Sequence, residues 1–93
     1  MLVGVCHLEL RLAQAASLKD KRRIIKSIRD RVRHRFNVSI AEVDHQDNHK
    51  LAALAVAMVS NGTVPIHRTF GEIMRMLGGY PELEIIFHRV EIL

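Results

Sequence analysis

Nine Lys or Arg side chains crowd one stretch of the chain: Lys19, Lys21, Arg22, Arg23, Lys26, Arg29, Arg31, Arg33 and Arg35. Only Asp20 and Asp30 oppose them, so the stretch carries +7 while the rest of the chain carries −3. If the stretch is helical, Lys19, Arg22, Lys26, Arg29 and Arg33 fall within about 80° of one another. A row of cations of that length suits a polyphosphate better than a small anion. Arg favours the same ligand, because its planar fork pairs two phosphate oxygens at once. The expected chemistry is therefore phosphate contact by Lys19, Arg22, Arg23, Lys26, Arg29 and Arg33, with RNA or a ribosomal particle as partner. The plainer reading is a solvated helix face, or one that meets an acidic protein. A basic amphipathic helix also suits a membrane surface, but this one offers no exposed Trp or Phe to insert, so no membrane partner is expected.

Other groups capable of chemistry are sparser. Asp44, His45, Asp47 and His49 lie within six residues. His and carboxylate are metal ligands, yet the spacing fits no strong template, and a polar turn with local Asp hydrogen bonds is the better reading. Glu42 stands among apolar residues, where an ion pair with a cation of the basic stretch is expected in preference to a catalytic role. His7 and His88 are read as structural, with pairing on a sheet face open to them. Cys6 alternates with leucines and reads as a small buried hydrophobe. No nucleophile–base pair is apparent, and no cofactor or metal is expected. The sequons at Asn37 and Asn61 are coincidence in a chain that carries no export signal.

The elements that hold these groups follow from periodicity. Cys6, Leu8, Leu10 and Leu12 alternate with polar neighbours, which marks a strand from Leu2 to Leu12 with one face in a core. Gly4 within it marks a bulge or a close approach by another backbone. Ser17 reads as an N-cap with Asp20 as its capping-box partner. A helix then runs from Leu18 to about Arg35, on the apolar stripe Leu18, Ile25, Ile28, Val32 and Phe36. Asn37 suits a left-handed residue just past its end. Val38 to Asp44 is a second strand, and the polar residues 45–49 form a hairpin loop. Leu51 to Val59 is apolar throughout. Nine residues between a hairpin and Ser60-Asn61-Gly62 favour a strand apolar on both faces over a helix. A second helix fits Thr63 to Leu77, on Ile66, Phe70, Ile73 and Leu77, and Gly78-Gly79 stops it. Glu82 to Leu93 is the last strand.

The order β-α-β-β-α-β predicts an α+β, ferredoxin-like sandwich, with an antiparallel sheet of order 4-1-3-2 and both helices on one face. The helices then leave one sheet face open. The third strand, the start of the first and the run Ile85-Ile86-Phe87 all bring apolar residues to it. A large exposed apolar patch is unusual on a soluble monomer, so a homodimer through this face is expected.

Composition sets the outer limits. Ninety-three residues make a single domain spanning 1–93. Hydrophobic residues at 48% and charged residues at 26% are globular values. No apolar run reaches the ~18–20 residues of a membrane span. One Cys precludes an internal disulfide, and the lack of an export signal points to a reducing cytoplasm.

RNA-recognition motifs share this topology and stack bases on sheet aromatics. The central strands here have no aromatic, so RNA contact is expected at backbone and shape alone, through the first helix. Enzymes on the fold fare worse. Acylphosphatases need a Gly- and Arg-containing phosphate loop after the first strand, where this chain has Ala13-Gln14-Ala15-Ala16-Ser17. Copper chaperones need two Cys. The expectation is a non-catalytic protein. A dimeric adaptor or regulatory module that binds an acidic protein or small ligand is the alternative.

Three stretches carry a family resemblance: S-L-K-D-K-R-R from Ser17 to Arg23, F-N-V-S-I-A-E-V-D-H-Q-D from Phe36 to Asp47, and A-M-V-S-N from Ala57 to Asn61. With the opening L-V-G-V and the closing E-I-L they resemble the YlxP-like family of small bacterial proteins, which carry a domain of unknown function. The resemblance spans nearly the whole chain and implies a ferredoxin-like fold. Genes of the family often lie beside those of translation-initiation and ribosome-maturation factors, which implies, by association, a place near the ribosome. It brings no established catalytic or binding residues.

Overall fold

The even-numbered residues of the first strand point the way to the core. In the computed structural model, which describes residues 1–93, Cys6, Leu8 and Leu10 are buried along β1 (Leu2–Arg11), as is Leu12 just beyond it. They form one cluster with Ile24, Ile25, Ile28 and Val32 of α1 (Leu18–Arg35) and with Ile66, Phe70, Ile73 and Leu77 of α2 (Thr63–Gly78). Both helices therefore cover the same sheet face. The sheet is completed by β2 (Ser39–Asp44), β3 (Leu51–Ser60) and β4 (Glu84–Ile92). Its order is β2-β3-β1-β4 with every neighbouring pair antiparallel, which is the ferredoxin-like arrangement.

Local chemistry sets the element ends. Ser17 Oγ accepts the Asp20 backbone N–H at 3.1 Å, and Asp20 Oδ2 accepts the Ala16 N–H at 3.0 Å. The capping box thus closes one residue earlier than its usual form. At the other end of α1 the chain leaves through an extended Phe36, φ −127°. Asn37 is not left-handed; His45, in the hairpin, is the one non-Gly residue with positive φ, 62°. The left-handed turn falls there because the β2–β3 connection must reverse within a few residues, whereas α1 runs on into β2 through extended backbone.

Gly4 marks neither a bulge nor an approaching backbone; side chains of α2 press on it instead. A Cβ there would collide with Ile66 Cγ2 and come within 3.2 Å of Phe70 Cε2. Its missing side chain lets α2 settle on β1. Two bulges mark the edge strands. One lies between Glu42 and Asp44 and leaves Val43 as the extra residue; the other lies opposite Glu9 and Leu10 and leaves Ile86 extra. The second explains three consecutive apolar residues in a strand: Ile85 packs against the core, Ile86 is displaced by the bulge, and Phe87 faces the open side.

The open face is divided rather than uniformly apolar. Val3, Val5, Ala53, Ala55, Ala57 and Val59 cover its β3 half. The β4 half is ionic: Arg89 reaches Glu91 at 2.7 Å, His7 reaches Glu91 at 3.5 Å, and Arg11 reaches Glu84 at 3.0 Å. The odd positions of β1 change from valine to polar and charged residues midway along the strand. His7 and His88 do not pair: His7 lies opposite Arg89, while His88 lies opposite Leu8 on the other face.

Candidate functional site

The two helices and the sheet divide the charge. The helices hold eleven Lys or Arg against three acidic residues, +8, while the strands and loops hold three against seven, −4. Within this field α1 lies beside edge strand β2, with Met76 of α2 across a cleft on its other flank. The flank toward β2 is a cleft of about 330 Å³ lined by Arg22, Lys26, Arg29 and Arg33, with Ile25, Asp30 and Glu42. Four of the six side chains singled out from spacing therefore converge on one concavity.

Each of the four is placed differently. Arg33 donates to the Ile40 carbonyl at 3.0 Å, a bond to β2 that fixes its fork at the cleft wall. Lys26 donates to Asp30 Oδ2 at 2.8 Å, one turn along. That hydrogen bond, helped by the charges of Lys26, Arg33 and Arg29, holds the Asp30 carboxyl below its ordinary range. Arg29 is half-buried, and its Nε is enclosed without a hydrogen-bond partner. An enclosed guanidinium donor with no acceptor is costly, and the half-buried side chain leaves the rest of the fork to meet an anion. Arg22 lies exposed at the cleft rim, and Lys19 and Arg23 are exposed outside the cleft on the crest of α1.

Lys21 departs from the rest. Its side chain is fully buried. The ammonium donates to the carbonyls of His45 at 2.6 Å, Asn48 at 2.8 Å and Leu51 at 2.9 Å, and it lies 2.8 Å from Glu42 Oε2. An ammonium has three protons. All three go to carbonyls, so Glu42 is held by charge. The ion pair expected for Glu42 thus forms with the one cation of the stretch that faces inward. Lys21 and Ile24 belong to the buried stripe of α1, which is wider than its apolar spacing indicates, because a Lys in that row looks like a surface residue.

The opposite flank of α1 has a second cleft, of about 710 Å³, lined by Asp30, Arg31, His34, Arg35 and Met76. The Arg31 guanidinium sits 5.1 Å from the centre of the Tyr80 ring, and Arg35 lies at the same distance from Phe36. Aromatic faces hold both cations in place. Periodicity placed Arg31 and Arg35 outside the chosen row, and only the packing of α2 shows the cleft that they line.

The hairpin groups do not assemble. His45 Nε2 lies 3.3 Å from Glu9 Oε1 across the sheet, and Asp44 Oδ1 accepts the His45 backbone N–H at 2.7 Å. Nowhere do three His, Cys, Asp or Glu side chains converge as a metal would require. Cys6 is buried, and burial pushes its thiol up to about 11. No helix is long and apolar enough to cross a membrane.

Comparison with known proteins places the chain in a family. Residues 3–90 match the family model described as a protein of unknown function, DUF503. The chain is also similar to the uncharacterized protein YlxP of Bacillus subtilis (strain 168), with 32% identity over 90 residues that cover 97% of this chain and 98% of that protein. The chain belongs to the DUF503 family.

Proposed function

We propose that this DUF503 protein is a non-catalytic, cytoplasmic RNA-binding protein, acting on RNA or a ribosomal particle through the phosphate backbone. The observation that carries the reading is the cleft between α1 and β2, where Arg22, Lys26, Arg29 and Arg33 converge. Those four positions span roughly 16 Å of helix, enough for several phosphates in a row. Lys19 and Arg23 extend the field along the crest. Aromatic stacking is not what supports the reading: Phe87 is the only aromatic on the open sheet face, at its edge.

Titration of labelled RNA at several salt concentrations tests this reading. Three phosphate contacts, or four where a phosphate displaces Asp30 from Lys26, predict a slope of log affinity against log salt of about −2 to −4. Changing Arg22, Lys26, Arg29 and Arg33 together to Glu should abolish binding while the fold survives. Binding that ignores salt, or that the quadruple variant retains, overturns the reading. In that event an adaptor for an acidic protein becomes the better account.

We further propose that a second copy covers the open sheet face. Four strands and ten residues give a face of roughly 19 by 33 Å. Two such faces stacked would remove about 1,200 Å² from water, the lower edge of a stable interface. The sheet layer is net acidic and so does not compete for RNA. Arg89 and Glu91 stand two apart on β4, which lets a two-fold axis set opposite charges against each other. The basic helices would then face outward on both sides of the dimer.

A further inference from the structure

The cations of α1 are not confined to one flank. The cleft toward β2 holds Arg22, Lys26, Arg29 and Arg33, and the cleft toward α2 holds Arg31 and Arg35. Between them the helix presents a low crest about 10–12 Å across, the diameter of a helix with its side chains. Two parallel lines of cation separated by that crest match two phosphate strands with a groove between them. A lone strand would fill one cleft and leave the other empty.

The kind of groove follows from the packing. Helix α1 lies on the sheet with Ile24, Ile25, Ile28 and Val32 buried, so only its outer half is free and it cannot be driven deep into nucleic acid. That excludes the DNA major groove, about 8.5 Å deep, and the DNA minor groove is only about 6 Å wide, too narrow for the crest. The A-form RNA major groove is deep and narrow, whereas its minor groove is wide and shallow. Single strands are held by stacking on aromatic side chains, and neither cleft offers a free one. Of the aromatics near the second cleft, Tyr80 and Phe36 already lie beneath Arg31 and Arg35. A duplex hides its bases and needs no such platform.

On the RNA reading above, we propose that the ligand is double-stranded: α1 lies over the minor groove of an A-form helix, with one strand's phosphates in the Arg22–Arg33 cleft and the other strand's in the Arg31–Arg35 cleft. Asp30, at the edge of both clefts, pairs with Lys26 at 2.8 Å, so together they add no net charge to the surface the duplex meets. Ser27 is exposed on the same surface, where a hydroxyl can meet a ribose 2′-OH.

The test is a binding assay on the intact protein with three probes of one sequence: an RNA duplex of about 20 base pairs, long enough for a minor-groove binder, the matching DNA duplex, and the single RNA strand. The RNA duplex should bind at least about tenfold tighter than either other probe. The double variant Arg31→Gln/Arg35→Gln should lose about tenfold on the duplex and little on the single strand, with folding checked by circular dichroism. Equal or tighter binding of the single strand, or a duplex affinity that ignores Arg31 and Arg35 while Arg22→Gln/Lys26→Gln abolishes it, overturns the duplex and leaves the RNA reading standing. Absence of binding to all three probes overturns both.

Discussion

Lys21 Nζ lies 2.8 Å from Glu42 Oε2 in the one ion pair of the protein that is shielded from water, with the two side chains 1% and 16% exposed. The other pairs lie among side chains at least 38% exposed, or at 31% and 44% for His45 and Glu9. Surface pairs of that kind contribute little to stability. Lys21 also closes three carbonyls of the β2–β3 hairpin, from residues 24 to 30 positions away. It ties α1 to the far end of the sheet.

Lys21→Met should therefore destabilise the protein by about 3–5 kcal/mol, since Glu42 and three carbonyls lose their partner in a buried place. The melting temperature should fall by at least about 10 °C. Arg22→Met, on the same helix, should change it by less than about 0.5 kcal/mol. Where Lys21→Met remains folded it should bind RNA as the wild type does, because the side chain never reaches the surface. Equal melting of the two variants would show that Lys21 is not the tie.

Gly4→Val should cost about 1–3 kcal/mol, because the new methyl groups meet Ile66 and Phe70 in a packed interface. Gly71, where a Cβ meets nothing within 4 Å, is the internal control: Gly71→Ala should be neutral or slightly stabilising. Denaturant titration of both variants measures the difference, and a Gly4→Val midpoint at or above that of the wild type would count against the close approach.

Cys6 links stability to alkaline pH. Burial raises its thiol from 9.0 to about 11, so the folded chain keeps a proton that the unfolded chain releases. The stabilisation is complete below pH 9 and is lost as pH rises toward 11. Wild type should lose stability across that window faster than Cys6→Val does. Native protein should also resist thiol alkylation at neutral pH and react once unfolded. Rapid alkylation of the folded chain would contradict the burial.

Self-association should appear as a dimeric mass by sedimentation at micromolar concentration. Ala55 lies in the middle of the apolar half of the open face, so Ala55→Lys should shift the protein to monomer with little loss of fold. A monomeric wild type at that concentration would leave the open face without a second copy.

Much of the fold was legible because its signals are local. The strand alternation from Cys6 to Leu12, the Ser17 cap, the Ile25–Val32 stripe and the Gly78-Gly79 stop each lie within one element, and periodicity reports which face of that element is buried. The row Arg22, Lys26, Arg29 and Arg33 was legible for the same reason, as a property of one helix. The charge on the open face was in part legible too, since His7, Glu9 and Arg11 alternate with the core leucines, but the dominant apolar run of β3 obscured it.

The amino-acid sequence by itself determined the order of elements, their buried stripes and the concentration of positive charge on α1. Tertiary structure alone decided which of those charges is available. Lys21 turns inward because the hairpin carbonyls converge on its position, and an ammonium enters a core only where such partners wait for it. Arg29 and Arg33 become a cleft only when β2 lies beside them, and Arg31 and Arg35 become a second one only when α2 closes the other side. These relations join residues that are distant in the chain, and no period along the sequence encodes them.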